Sequence, residues 1–226
     1  SPLGESKRGE AVARKIRRTA KRTARNIISQ YADSSFRPMQ MEFVFGQNGI
    51  SPILLELADG SFVYLQGRID RVDMTVDGAV RIVDYKSGGK KFDPTLVYWG
   101  LQLQLLLYMA AAIARIPGSR AAGFFYCRIA DPTVKTETRM KEEVEKQIAK
   151  KLSLSGITLS DVSILRAQGG AQAGMITKDG KPNGRYASSM VSDEGMEHLI
   201  EFARNKATTL AGDIYAGMID DSPYER

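Results

Sequence analysis

The run Gly67-Arg68-Ile69-Asp70-Arg71-Val72-Asp73 and the run Val80-Arg81-Ile82-Val83-Asp84-Tyr85-Lys86, joined through Asp77-Gly78, decide how this chain folds. Both runs have strand character, within strand-like stretches at 61–76 and 79–87. Asp-Gly is a strong turn dipeptide, because a tight hairpin needs residues that tolerate a positive φ. Side chains alternate between the faces of a strand, so Asp84 and Lys86 point one way and Tyr85 the other. The hairpin can also bring Asp70 beside Asp84. Two carboxylates and an ammonium then share a patch at a sheet edge.

Such a patch has a chemistry. Paired carboxylates suit Mg²⁺ or Mn²⁺, cations that favour oxygen ligands and keep part of their water shell. A lysine beside them can hold or deprotonate an attacking water, while the cation stabilises charge on a phosphate oxygen. The triplet acid-x-Lys alone says little, since Glu5-Ser6-Lys7 and Asp179-Gly180-Lys181 also have it. Only Asp84-Tyr85-Lys86 ends an apolar strand and has an acidic strand partner 14 residues upstream.

Outward from the hairpin, the pattern predicts a basic helix from about Arg8 to Tyr31, with an apolar stripe of Val12, Ile16 and Ile27. A strand over Met39–Gln47 follows the breaker Pro38, and another strand-like run lies at 53–57 before Asp59-Gly60. Asp93-Pro94 opens a helix expected to run to about Arg115. Ala121–Ala130 reads as an apolar strand. Thr136–Leu152 reads as a charged helix, 168–190 as a long loop or irregular hairpin, and Ser192–Met218 as a last helix capped by Ser192. The expectation is one α/β domain, a mixed β-sheet flanked by helices. It comprises the basic helix at 1–35, a core at 36–135 and a helical extension at 136–226. On the helix after the core hairpin, Gln104 and Tyr108 lie four apart and share a face among apolar residues. An amide there needs a hydrogen-bond partner, and the carboxylates or a bound phosphate are the expected ones.

At 226 residues, 43% hydrophobic and 26% charged, the composition is that of a globular domain with a real core. The net charge of +6 invites a polyanionic partner. It is unevenly spread, however. Residues 1–25 hold nine Lys or Arg against Glu5 and Glu10, which leaves the rest of the chain at −1. The single cysteine, Cys127, excludes intrachain disulfides and multi-cysteine metal sites, and the single histidine, His198, argues against histidine-based zinc chemistry. No run is long and apolar enough to span a membrane and no signal peptide heads the chain, so the expected setting is cytoplasmic. The start Ser1-Pro2-Leu3-Gly4 lacks an initiator methionine and reads as the start of an excised piece.

Gly67-Arg68-Ile69-Asp70, Asp84-Tyr85-Lys86-Ser87-Gly88 and Gln104-x-x-x-Tyr108, in this order and spacing, resemble the RecB-type branch of the PD-(D/E)XK nucleases. The fuller run Gly100–Tyr108, the strand Ala122-Gly123-Phe124-Phe125-Tyr126 and Ile129-Ala130-Asp131-Pro132 are most similar to the AddB-type chains of bacterial helicase–nucleases. Weaker similarity runs from Phe36-x-Pro38-x-x-x-Glu42 to Gly217-Met218. The resemblance implies a restriction-endonuclease-like core and Mg²⁺-dependent hydrolysis of DNA (or Mn²⁺-dependent) at double-strand-break ends, with an AddA-like helicase subunit as partner. It implies Asp70 and Asp84 as metal ligands with the backbone carbonyl of Tyr85, Lys86 as the catalytic lysine, Glu42 as an acidic residue facing the metal or the lysine, and Gln104 and Tyr108 as support for the site and contact for DNA. Lys90 and Lys91, in the loop after the second strand, are placed to meet the phosphates of the cleaved strand.

The sequence departs from that family twice. No histidine precedes Asp70, where the RecB-type branch usually has one. The four cysteines that hold an iron–sulfur cluster in AddB-like chains are absent, so that cluster is not expected to form here, and truncation at both ends is the simplest account. No Walker A motif is present, so no helicase motor is expected. Blander readings stand beside these. The carboxylates and lysine could be a surface ion-pair cluster, Gln104 and Tyr108 a buried helix–sheet contact, and Glu42 an outward residue on a half-exposed strand. The basic helix could serve DNA phosphates, pack on the sheet or a partner, or both. Cys127 reads as a core residue and His198 as a surface one. A stand-alone RecB- or Cas4-like exonuclease, or a non-catalytic DNA-end-binding or subunit-docking module, are the competing functions.

Overall fold

A computed structural model describes residues 6–47, 50–135 and 140–218. The first helix, α1 (Lys7–Ala32), is capped by the Ser6 hydroxyl, which accepts from the Gly9 amide at 3.0 Å. Strand β1 (Arg37–Phe45) follows, and then a hairpin of β2 (Ile53–Glu56) and β3 (Phe62–Leu65) that pairs only with itself. The predicted run 61–76 therefore breaks at Gln66. Its second part is β4 (Gly67–Met74), which turns through Gly78, with φ of +82°, into β5 (Ala79–Lys86). Pro38 lies inside β1 rather than ahead of it. This is tolerated because β1 is an edge strand, where a missing amide leaves no ladder partner unpaired.

The single helix expected after Asp93 is two helices. The Asp93 carboxylate caps α2 (Pro94–Tyr98), which ends at Gly100 with a left-handed φ of +82°, and α3 (Gln104–Arg115) restarts the chain in a new direction. Next come β6 (Arg120–Arg128), α4 (Lys141–Lys151), β7 (Ser155–Leu159), α5 (Val162–Ala167), 3₁₀ turns at Gly169–Met175 and Gly184–Ser189, β8 (Met190–Val191) and α6 (Asp193–Tyr215), which Ser192 caps as expected. Of the helix predicted at Thr136–Leu152, residues 136–139 lie outside the described residues. The 136–226 part is not purely helical. Strands β7 and β8 complete the main sheet, whose order is β1-β4-β5-β6-β7-β8. Pairs β5–β6 and β7–β8 are parallel and the others antiparallel, so the sheet is mixed as expected.

The two faces of the sheet differ in character. One carries Val72, Ile82 and Phe124 into the main core, against Leu105, Leu106 and Met109 of α3 and Met196, Ile200 and Ala203 of α6. Burying side chains of this size removes roughly 1.5–3 kcal/mol each of apolar exposure. The other face is polar beneath the C-terminal half of α1. There Arg71, Asp73 and Arg81, each 1% exposed or less, form a buried ion cluster. Tyr31 donates to Asp73 Oδ1 at 2.9 Å, Arg71 donates to Gln30 at 3.0 Å, and Arg81 donates to Gln168 at 2.8 Å. Desolvation lowers the pKa of Arg81, while Asp73 opposes that effect. The first half of α1 does not pack as its stripe suggests, since Val12 and Ile16 are 40% and 57% exposed. It is tied instead by Arg18 and Arg22 to Asp131 and by Arg22 to Glu145 of α4 at 3.0 Å.

Candidate active site

Asp84 and Lys86 close β5 on the main-core side, as alternation requires, while Tyr85 turns to the α1 side and accepts from Arg71 at 2.8 Å. The regular β4–β5 ladder runs from Met74↔Val80 to Arg71↔Val83 and stops there. One step further, the Asp70 carboxylate takes the place of a ladder carbonyl: its Oδ2 accepts from the Tyr85 amide at 2.7 Å. Asp70 is thereby fixed next to Asp84. The pair lies at strand ends in the middle of the sheet, not at its edge.

A polar chain extends from this pair. Lys86 Nζ is 2.5 Å from Asp84 Oδ2 and donates to Gln104 Oε1 at 3.2 Å. Gln104 Nε2 in turn donates to the Tyr108 hydroxyl at 2.9 Å. The partner of the Gln104 amide is thus Lys86 and Tyr108, not the carboxylates expected from sequence. Asp84 is 3% exposed, and burial raises its pKa above the ordinary carboxylate range. The Lys86 ammonium opposes that rise and the nearby Asp70 charge adds to it. A carboxylate held this way gains from a cation close by. Asp70 engages the amide through Oδ2, and its Oδ1 makes no hydrogen bond to a described residue. Two adjacent carboxylates of this kind fit Mg²⁺ or Mn²⁺, which protein sites commonly hold through one or two carboxylates plus waters and substrate phosphate. No group of three or more His, Cys, Asp or Glu converges among the described residues.

Residues 2–219 match the family model of the PD-(D/E)XK nuclease superfamily. The chain belongs to that superfamily. Similar proteins, each named as a subunit of an ATP-dependent helicase/deoxyribonuclease of the second (B) type, include one from Alkaliphilus metalliredigens, 35% identical over 230 residues, 94% of this chain and 20% of that protein. One from Clostridium botulinum (strain Hall) is 34% identical over 242 residues, 99% of this chain and 21% of that protein. One from Acetivibrio thermocellus is 34% identical over 247 residues, 100% of this chain and 21% of that protein. The chain spans about a fifth of the length of these relatives. Their shared name agrees with the resemblance carried by the three motifs.

The remaining PD-(D/E)XK candidates fall on both sides of the expectation. Glu42 does not face Lys86: its carboxylate pairs with Arg68 at 3.2 Å and its side chain is 68% exposed. The cause is a break in strand phase. Ile69 and Val72, three residues apart, both enter the main core, which strict alternation forbids. Glu42 lies opposite the break with φ of +50° and is turned outward. Lys90 and Lys91 are exposed in the loop after β5, with Lys90 Nζ 5.3 Å from the centre of the Tyr126 ring. His198 is exposed on α6 and Cys127 is fully buried in β6, as expected. No helix among the described residues is long and apolar enough to cross a membrane.

Three residues around the site escaped the sequence reading. Tyr126 is the register partner of Asp84 on the parallel neighbour β6, with Lys86 Nζ 5.6 Å from its ring centre. Its position at the end of an apolar strand was the available signal. Gln102, 3% exposed, accepts from the Asp93 amide at 3.1 Å and donates to the Lys91 carbonyl at 3.0 Å, which pins the loop after β5. Gly67 explains the first residue of its motif. A Cβ there would sit 2.7 Å from the Phe45 ring and 3.3 Å from Tyr108, whose rings meet edge to face at 5.9 Å.

Proposed function

We propose that this domain hydrolyses phosphodiester bonds of DNA with Mg²⁺ or Mn²⁺ held by Asp70 and Asp84, with the Tyr85 carbonyl as a further ligand. The observation that carries the reading is the hairpin end: Asp70 locked onto the Tyr85 amide beside a buried Asp84, with Lys86 bridging Asp84 and Gln104. When bound, the cation supplies positive charge to a phosphate oxygen as the transition state forms. The protein's own groups do the orienting. Asp84 and Gln104 hold the Lys86 ammonium in one place, so its remaining hydrogen can position the attacking water. The water oxygen bonds to phosphorus, the bond to the leaving sugar oxygen breaks, and that oxygen takes a proton from solvent. Tyr108 fixes the Gln104 amide, and Lys90 and Lys91 receive the phosphates that flank the cut.

The relatives' name supports a larger setting: the nuclease part of an AddAB-type helicase–nuclease that works with an AddA-like partner on double-strand-break ends in recombinational repair. The test uses the intact, full-length protein. Asp84→Ala and Lys86→Ala are each expected to lower Mg²⁺-dependent DNA cleavage by about 10²–10⁴-fold, the scale of a lost acid–base or charge-stabilising group. Retention of full activity by either variant overturns the reading. Calorimetry with Mg²⁺ and Mn²⁺ gives a second readout: no binding heat favours a DNA-end-binding or subunit-docking module instead.

A further inference from the structure

A groove of about 1170 Å³ opens beside the carboxylate pair, with Tyr126 in its wall. It runs past Lys90, Lys91 and Arg128 to Lys150 and Lys151 at the end of α4, and its far wall is the 3₁₀ segment that carries Gln172 and Tyr186. Five basic side chains line it and no acidic one does. That is the reverse of the whole body, where the acidic and basic residues outside 1–25 nearly cancel. The charge is not the only signal. Tyr126 and Gln172 are 1% and 8% exposed, yet the Tyr126 hydroxyl and Gln172 Nε2 have no hydrogen-bond partner, and neither has Arg128 Nε. A buried donor left unpaired costs about 1–3 kcal/mol, so three in one wall point to an acceptor that arrives with a ligand.

We propose that this groove is the track of a single DNA strand, taking its phosphates from the Asp84 end to Lys150 and Lys151. The inference rests on the nuclease reading and extends it to residues on α4 and the 3₁₀ segment. Phosphate oxygens match the orphaned donors, and the cations neutralise the backbone without reading sequence. Tyr126 and Tyr186 offer ring faces at two points of the wall, the combination by which single strands are held. A stacked duplex keeps its backbone on a rigid outer surface and does not reach donors this deeply buried.

The test is anisotropy of labelled oligothymidylate in chelator, where no cleavage occurs. The Lys150→Gln/Lys151→Gln variant is expected to bind a 16-mer more weakly. Its slope of log affinity against log salt should fall by roughly 1.4, about 0.7 for each phosphate contact on a single strand. With Mg²⁺, its hydrolysis of thymidine 5′-p-nitrophenyl phosphate, too short to reach α4, is expected to stay at the parent level. Unchanged affinity and slope overturn the track, and so does an equal loss for a duplex of the same length. Failure of the nuclease reading would show separately, as persistent cleavage by Asp84→Ala, because the binding arm needs no catalysis.

Discussion

Arg71 and Tyr85 meet directly behind the carboxylate pair: the guanidinium donates to the phenol oxygen at 2.8 Å, and its carbon lies 5.6 Å from the ring centre. Each residue is one step along its strand from a candidate ligand, Arg71 from Asp70 and Tyr85 from Asp84. The regular ladder ends at Arg71↔Val83, so this contact braces the strands where backbone pairing gives out. Tyr85→Phe keeps the ring and removes the acceptor from a buried cation. Its expected cost is about 1–3 kcal/mol in urea unfolding. The Mg²⁺ concentration for half-maximal cleavage should rise while DNA affinity in chelator stays put.

Asp84 is held at a cost to the fold. Because burial dominates and its folded pKa is raised, the unfolded state accepts the ionised form more readily than the folded state does. Asp84→Asn is therefore expected to melt higher than the parent in chelator. A gain of about 1 kcal/mol would appear as roughly 2–4 °C in a domain of this size. The same variant should lose cleavage. A lower melting temperature would show that the Lys86 ion pair outweighs the burial.

Gly67 has a packing test. Gly67→Ala places a methyl 2.7 Å from the Phe45 ring, and Phe45 braces Tyr108, which holds Gln104. Overpacking of this kind costs about 1–3 kcal/mol. Cleavage should fall further than stability alone explains, and the double variant Gly67→Ala/Phe45→Leu should recover part of both.

Acid sensitivity concentrates at Arg120. Its Nη2 donates to Asp161 at 2.9 Å and its Nε to Asp193 at 2.6 Å, tying β6 to the starts of α5 and α6. Ser163 first and Arg120 next hold the Asp161 carboxyl down at about 2, and Arg120 also lowers Asp193. Lowered folded values mean that the stabilisation is complete above the ordinary carboxylate range and fades as pH falls toward 2. These groups are partly exposed, so Arg120→Ala is expected to cost no more than about 1 kcal/mol at neutral pH. Denaturant melts of parent and variant should stay parallel above about pH 4 and converge below it.

The hairpin and its site were legible because local rules decide them. Asp77-Gly78 sets the turn, alternation puts Asp84 and Lys86 together, and the spacing of Gln104 and Tyr108 puts both on one helical face. Residues whose roles depend on distant packing were not. Ser155-Gly156-Ile157-Thr158-Leu159 looks like loop by composition, yet it pairs with β6 so closely that a Cβ at Gly156 would lie 1.9 Å from the Phe124 carbonyl oxygen. Arg71, Asp73 and Arg81 read as ordinary exposed charges, and only α1 folding over them makes them a buried cluster. The break at Gly100 hides in the apolar run Val97–Leu107, which satisfies a helical pattern straight through it. Glu42 fails for the same class of reason, since no periodicity reports a shift of strand phase.

That irregular strand has a consequence for how the domain behaves among neighbours. β1 is the long open margin of the sheet, and an open margin invites any other extended chain to add itself. Pro38 withholds a donor, Glu42 bends the backbone at φ of +50°, and the Glu42–Arg68 pair sets charge beside the bend. The opposite margin, β8, is only two residues long. Fibrils and strand-swapped oligomers need a straight, accommodating border on at least one side, and this sheet offers none.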